Sequence, residues 1–301
     1  MNRKLQLPPV LLIIVGLLIS IGMVIIFQSI SIILAAPLFK IPAKDIISFA
    51  KNPQYIDATR FIQFFTQVGW FFVSTWLITK LYIEKPIEHF AIRLPQPYVV
   101  WILALSGILT IQVLVGWTAQ VNAKIPLPDM LVRMEKDAET VTALFLKSEN
   151  VWILWVNLFI IAIIPGIGEE LFFRGFMQNT LLKAANYHIA IWITAIIFSA
   201  AHFQFMGFIP RMILGAYLGY LAYYAKSILP SILAHAFNNG MQVLMVYFNQ
   251  DLLGMSVDDP KNQKFTLWEI FMSFALTVFT LIMVWYLTYR FSQNKFAKTT
   301  N

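Results

Sequence analysis

The chain runs to 301 residues, of which 59% are apolar and only 12% charged. Soluble domains carry roughly 45–50% apolar and about 25% charged residues, so this chain cannot coat a water-soluble surface of its size, and a bilayer is the solvent that removes the need. It contains no cysteine, which excludes disulfides, thiolate nucleophiles and cysteine-held metals. The net charge of +7 is scattered between apolar stretches rather than gathered into a stripe; that pattern suits anionic lipid headgroups and argues against nucleic acid as a partner.

A helix needs about 20 apolar residues to cross the hydrocarbon core. Such stretches fall at roughly 9–36, 61–83, 98–119, 150–173, 188–204, 208–225, 228–248 and 266–290, which predicts an all-α, polytopic transmembrane bundle of about eight helices. The first follows Arg3 and Lys4, opens on Pro8 and Pro9, and is longer than the apolar region of a signal peptide. No A-x-A cleavage pattern follows it, so it reads as retained. The stretch 120–149, with Asp129, Arg133, Glu135, Lys136, Asp137 and Glu139, reads as a polar loop in preference to an interfacial amphipathic helix. The fifth to seventh stretches are short and interrupted by Gly207, Pro210 and Pro230, a pattern tolerated where helices are shielded from lipid. The stretch 249–265 reads as a solvated connection. These readings divide the chain into N-terminal helices and polar loop (1–149), a helical core (150–248), and a loop, last helix and tail (249–301). Lys and Arg divide evenly between the two sides of such a bundle, so the positive-inside rule gives a tie, and Arg3 and Lys4 favour cytoplasmic termini.

Ionisable groups in membrane spans cost roughly 2.5–3.5 kcal/mol each at the helix centre and mark functional sites. Three segments carry them. Glu169-Glu170-Leu171-Phe172-Phe173-Arg174 ends the fourth span. Glu170 and Arg174 share a helix face in the favourable order, whereas Glu169 points about 100° away and keeps no sequence-local partner. A carboxylate left alone among phenylalanines suits general acid–base work; the plainer alternative is an interfacial pair anchoring a helix end. Phe198-Ser199-Ala200-Ala201-His202 ends the fifth span, with the ring of Phe198 on the face of His202. His235-Ala236-Phe237-Asn238-Asn239 lies inside the seventh, where His235 and Asn239 project from one face and could donate to an oxyanion. Helix–helix hydrogen bonding is the alternative for the last two segments. His188, beside Tyr187, reads as an interfacial residue.

Taken together, these segments resemble the CPBP family, the CaaX-protease and bacteriocin-processing (Abi) membrane proteins, marked by EExxxR, FxxxH and HxxxN motifs on successive helices. The resemblance covers about 150–245. It implies an intramembrane endopeptidase of the glutamate type. In that reading Glu169 and His202 activate water, His235 and Asn239 hold the oxyanion, and Glu170 and Arg174 orient the site. Asn238 competes with Asn239 for the asparagine role, and the four-residue spacing favours Asn239. The resemblance leaves metal dependence open: no cofactor is favoured, and if zinc is used, Glu169, His202 and His235 are its ligands. The expected substrate is a membrane protein or lipid-associated peptide, and the expected location a bacterial cell membrane.

Other intramembrane proteases fit poorly. Neither His202 nor His235 belongs to an H-E-x-x-H run, no G-x-S-G-like site exists, and every aspartate lies between spans. The alternatives from other classes are a non-catalytic scaffold or immunity protein with the same motifs, and a proton-coupled transporter. The sequence lacks the internal repeat that the transporter predicts.

Overall fold

The computed structural model describes residues 4–46, 48–148, 150–248 and 264–299. Among these there is no strand, and the architecture is a helix bundle. The main helices are α1 (Pro9–Leu38), α2 (Pro53–Tyr82), α3 (Val99–Asn122), α4 (Asp129–Leu146), α5 (Val151–Leu181), α6 (Tyr187–Ala200), α7 (Phe208–Ala225), α8 (Leu229–Phe248) and α9 (Leu267–Thr299). The starts follow local chemistry. Asn52, Asn150 and Asn186 accept from Gln54, Trp152 and Ile189 backbone N–H groups that no helical carbonyl can satisfy. Proline stands first in α1 and α2, where its missing N–H costs nothing.

Each of the eight predicted spans coincides with a helix. Six are long and apolar enough to cross a membrane, the α7 span including the turn Phe205–Gly207 before it. The other two are α6, which is shorter, and α8, where Ser231, His235, Asn238, Asn239 and Gln242 interrupt the apolar run. Thr194 and Ser199 of α6 and Ser231, His235 and Asn238 of α8 are buried against protein, whereas His188 and Gln242 are exposed.

The stretch 120–149 differs from expectation. Instead of a loop, Pro128 starts an 18-residue helix, α4, with Asp129 in its first turn. Its inward face includes Glu135 and Phe145, both buried, while Arg133, Lys136 and Asp137 stay exposed. Arg60 of α2 donates to the Phe145 carbonyl (2.8 Å) and to Asn157 Oδ1 (3.1 Å), and Asn157 Nδ2 donates to the same carbonyl (2.7 Å). That ties the end of α4 to α2 and α5. The connection expected at 249–265 lies almost wholly outside the described residues.

Large apolar side chains point outward, among them Leu18, Ile33, Trp152, Phe248 and Leu267, as a lipid-facing surface requires. Lipid tails are as apolar as leucine, so helix cohesion depends on close packing. Glycines supply it at two crossings. A Cβ on Gly166 would lie 2.8–3.0 Å from Ala236 of α8, and one on Gly168 2.8 Å from Phe71 and Phe72 of α2. Around them Phe71, Phe172, Phe173, Phe176 and Phe198 form the central apolar cluster.

Candidate active site

Helix α5 is not uniform. Two π-helical turns, Leu158–Ile163 and Leu171–Gln178, flank the regular segment Ile164–Glu170. Turns of this kind insert an extra residue into the ladder and are frequent at functional sites. Pro165 adds a second irregularity. It has no N–H to give the carbonyl four residues back, which is that of Ile161.

Glu170 and Arg174 are fully buried, and Arg174 Nη1 donates to Glu170 Oε1 at 2.7 Å. The other arm of the guanidinium donates to the Gly215 carbonyl of α7 (2.8 Å), and its face lies 4.6 Å from the Phe198 ring centroid. The same Glu170 oxygen also faces His235 Nδ1 at 2.9 Å. An ionised carboxylate only accepts, so Nδ1 carries the proton and Nε2 is the atom turned toward Glu169. His202 is fixed in the same sense: its Nδ1 lies 2.9 Å from the Phe198 carbonyl, another pure acceptor. Phe198 stands edge-on to both imidazoles, with centroids 5.1 Å from His202 and 5.9 Å from His235.

Glu169 lies between the two rings. Its Oε2 stands 4.0 Å from His202 Nε2 and 3.9 Å from His235 Nε2. Those separations are within ion-pair reach but too long for direct hydrogen bonds, and this buried oxygen has no hydrogen-bond partner in the protein. Two carboxylates against Arg174 leave the cluster one negative charge in excess. A single proton placed on Glu169 or an imidazole neutralises it, and such a shared proton is what acid–base chemistry needs. His202 is the most open of the group, its side chain 31% exposed against 10% for Glu169 and 4% for His235.

The zinc alternative fits this arrangement poorly. Tetrahedral zinc with bonds of about 2.0–2.1 Å brings its ligand atoms to roughly 3.3 Å from one another, closer than the separations at Glu169. Among the described residues no group of three or more His, Asp or Glu is spaced to hold a metal ion.

Asn239, one turn beyond His235, donates from Nδ2 to the Ile161 carbonyl (3.2 Å), the group that Pro165 leaves without its helical donor. Asn238 is buried and donates to Asn239 Oδ1 (3.2 Å), while its own Oδ1 accepts from Gln112 of α3 (3.1 Å). A chain Gln112–Asn238–Asn239–Ile161 therefore orients the Asn239 amide. The remaining histidines lie elsewhere: His188 is exposed and bonded to Tyr220 (2.7 Å), and His89 sits between Lys183 and Thr180.

Thus Glu169, Glu170, Arg174, His202 and His235 converge from α5, α8 and the end of α6, and Asn239 stands one turn beyond His235 in α8, bonded to Ile161 and Asn238. Gln112 was not singled out from the sequence, although a glutamine in the middle of an apolar span is itself a signal. Arg211, not singled out from the sequence, lies inside α7 and couples electrostatically to Glu169 and His202.

No curated protein and no solved structure matches the chain. Residues 143–241, about a third of the chain and the stretch that contains all three motifs, match the family described as type II CAAX prenyl endopeptidase Rce1-like, and that stretch is similar to the CPBP, CAAX-protease kind.

Proposed function

We propose that this protein is an intramembrane endopeptidase that hydrolyses a peptide bond of a membrane protein or lipid-associated peptide with Glu169 as general base. The observation that carries the reading is Glu169 Oε2, buried without a hydrogen-bond partner and flanked at 3.9–4.0 Å by two oriented imidazoles. Polar atoms at that separation are commonly bridged by water. A water held between Glu169 and His202 gives its proton to the carboxylate as its oxygen attacks the scissile carbonyl.

The negative charge then develops on the carbonyl oxygen. His235, protonated at Nε2, and the second amide N–H of Asn239 are the donors nearest to it. Glu170 stabilises the imidazolium through Nδ1, and Arg174 holds Glu170. Collapse of the intermediate breaks the C–N bond, and Glu169 returns its proton to the leaving amine. Donors fixed in a dry site act strongly on developing charge because nothing reorganises during the reaction.

The family description supports peptide hydrolysis at the membrane. The test is cleavage by purified protein in lipid nanodiscs, comparing wild type with Glu169→Gln. Loss of product in the variant supports the reading; equal cleavage by both overturns it. Activity that survives a strong zinc chelator supports water activation by Glu169 without a metal, and abolition restored by stoichiometric zinc overturns that part.

A further inference from the structure

His202 stands in the turn that follows α6, and the chain reaches α7 from it through residues 203–207. Phe203 has φ 54, left-handed backbone that bulky residues rarely adopt. Such a segment keeps its shape only where its surroundings fix it. Four tethers do so. Arg211 donates to the Gln204 carbonyl (3.0 Å) and to Gln204 Oε1 (3.1 Å). Glu135 of α4 accepts from the Met206 N–H (3.2 Å). Asn122 of α3 donates to the Phe205 carbonyl (2.9 Å) and accepts from the Ile209 N–H (2.7 Å). Gly207 leaves the space: a Cβ there would lie 2.8 Å from Arg211 Nη2.

We infer that Arg211 is a positioning residue for the catalytic pair, holding the 203–207 turn so that His202 stands opposite Glu169, with Glu135 clamping the same turn from α4. This rests on the peptidase reading. Arg211 touches neither His202 nor Glu169 within hydrogen-bond distance; it acts through the backbone of the turn and through its charge, which reaches Glu135 and Glu169. Of the two functions the forked one matters more for geometry, because a guanidinium spans both Gln204 oxygens and an ammonium cannot.

The experiment compares wild type, Arg211→Gln, Arg211→Lys and Gly207→Ala in nanodiscs, with Arg133→Gln on the exposed face of α4 as control. Displacement of a catalytic group by about 1 Å costs on the order of 100-fold in rate. Arg211→Gln is therefore expected to lower kcat roughly 10- to 100-fold with KM within about twofold, with Arg211→Lys between it and wild type. Gly207→Ala, which displaces the guanidinium and keeps its charge, lowers kcat in the same direction. The second readout needs no activity: in 15N-histidine spectra the His202 ring signals shift in Arg211→Gln and Gly207→Ala while those of His188 stay fixed. Wild-type kcat together with unmoved His202 signals overturns the inference. If wild type shows no Glu169-dependent cleavage the peptidase reading fails, and the His202 signals alone then decide whether Arg211 positions the turn. Should Arg211→Gln fail to fold, Gly207→Ala carries both readouts.

Discussion

Glu169 and Glu170 are adjacent and about 100° apart around the helix. One meets two imidazoles across gaps of about 4 Å; the other is saturated by Arg174 and His235. Opposite outcomes follow on substitution. Glu170→Gln removes one partner of a fully buried ion pair, a loss worth roughly 3–5 kcal/mol, so thermal unfolding in detergent drops to lower temperature along with activity. Glu169→Gln removes a buried carboxylate whose Oε2 makes no hydrogen bond in the protein, so the unfolding temperature holds or rises while cleavage falls about 10²–10⁴-fold, the usual contribution of a general base. Asn239→Ala is expected to cost roughly 10²–10³ in kcat, as for other oxyanion donors. Asn238→Ala and Gln112→Ala, which only loosen the amide, cost about a tenth of that, measured as initial rates on one peptide.

At the level of elements, Pro165 trades helix stability for a free acceptor. Pro165→Ala restores an N–H to the Ile161 carbonyl and withdraws it from Asn239. The prediction is a higher unfolding temperature with slower cleavage; a faster enzyme would refute the role given to Ile161. Gly168→Val forces a side chain against Phe71 and Phe72 at a site with no slack, and overpacking of this kind costs roughly 1–3 kcal/mol. The link between α2 and α3 offers a pH test. Burial, with Lys183 beside it, holds His89 down at about 4 from 6.5. A histidine depressed in the folded state binds its proton more readily unfolded, so stability declines as pH falls from about 6.5 toward 4. His89→Asn should flatten that part of the stability profile.

The elements also separate what is legible in the sequence from what is not. Eight apolar runs mark eight helices because hydrocarbon thickness dictates their length. The motif spacings place Glu170 on Arg174, and His235 and Asn239 on one face. The sequence of α4 allows an amphipathic helix but favours a loop, because its six charged residues outweigh the apolar face that Leu131, Ala138 and Phe145 share with Glu135. Glu135 looks like a solvated loop charge until tertiary contacts bury it, and the role of Arg211, inside the stretch 208–225, shows only in its bonds to Gln204. The contact of Glu170 with His235 was equally invisible, because it depends on how closely Gly166 lets α8 approach α5.

Across the whole molecule, an apolar exterior surrounds a polar centre. Outward Leu, Ile, Phe and Trp side chains cover the bundle, while the charged residues of the site meet inside it from three helices and one turn. The evenly divided Lys and Arg explain why charge alone leaves the orientation undecided; the bundle is held by its packing rather than by a field. The division at 149 and 248 remains a proposal, supported by the clustering of every motif residue between those limits. The most direct measurement compares protein termini in membranes from cells carrying wild type and cells carrying Glu169→Gln. A set of new termini in membrane proteins or membrane-bound peptides, present with wild type and absent with the variant at equal expression, is the predicted result. Identical termini in the two membranes would contradict the peptidase.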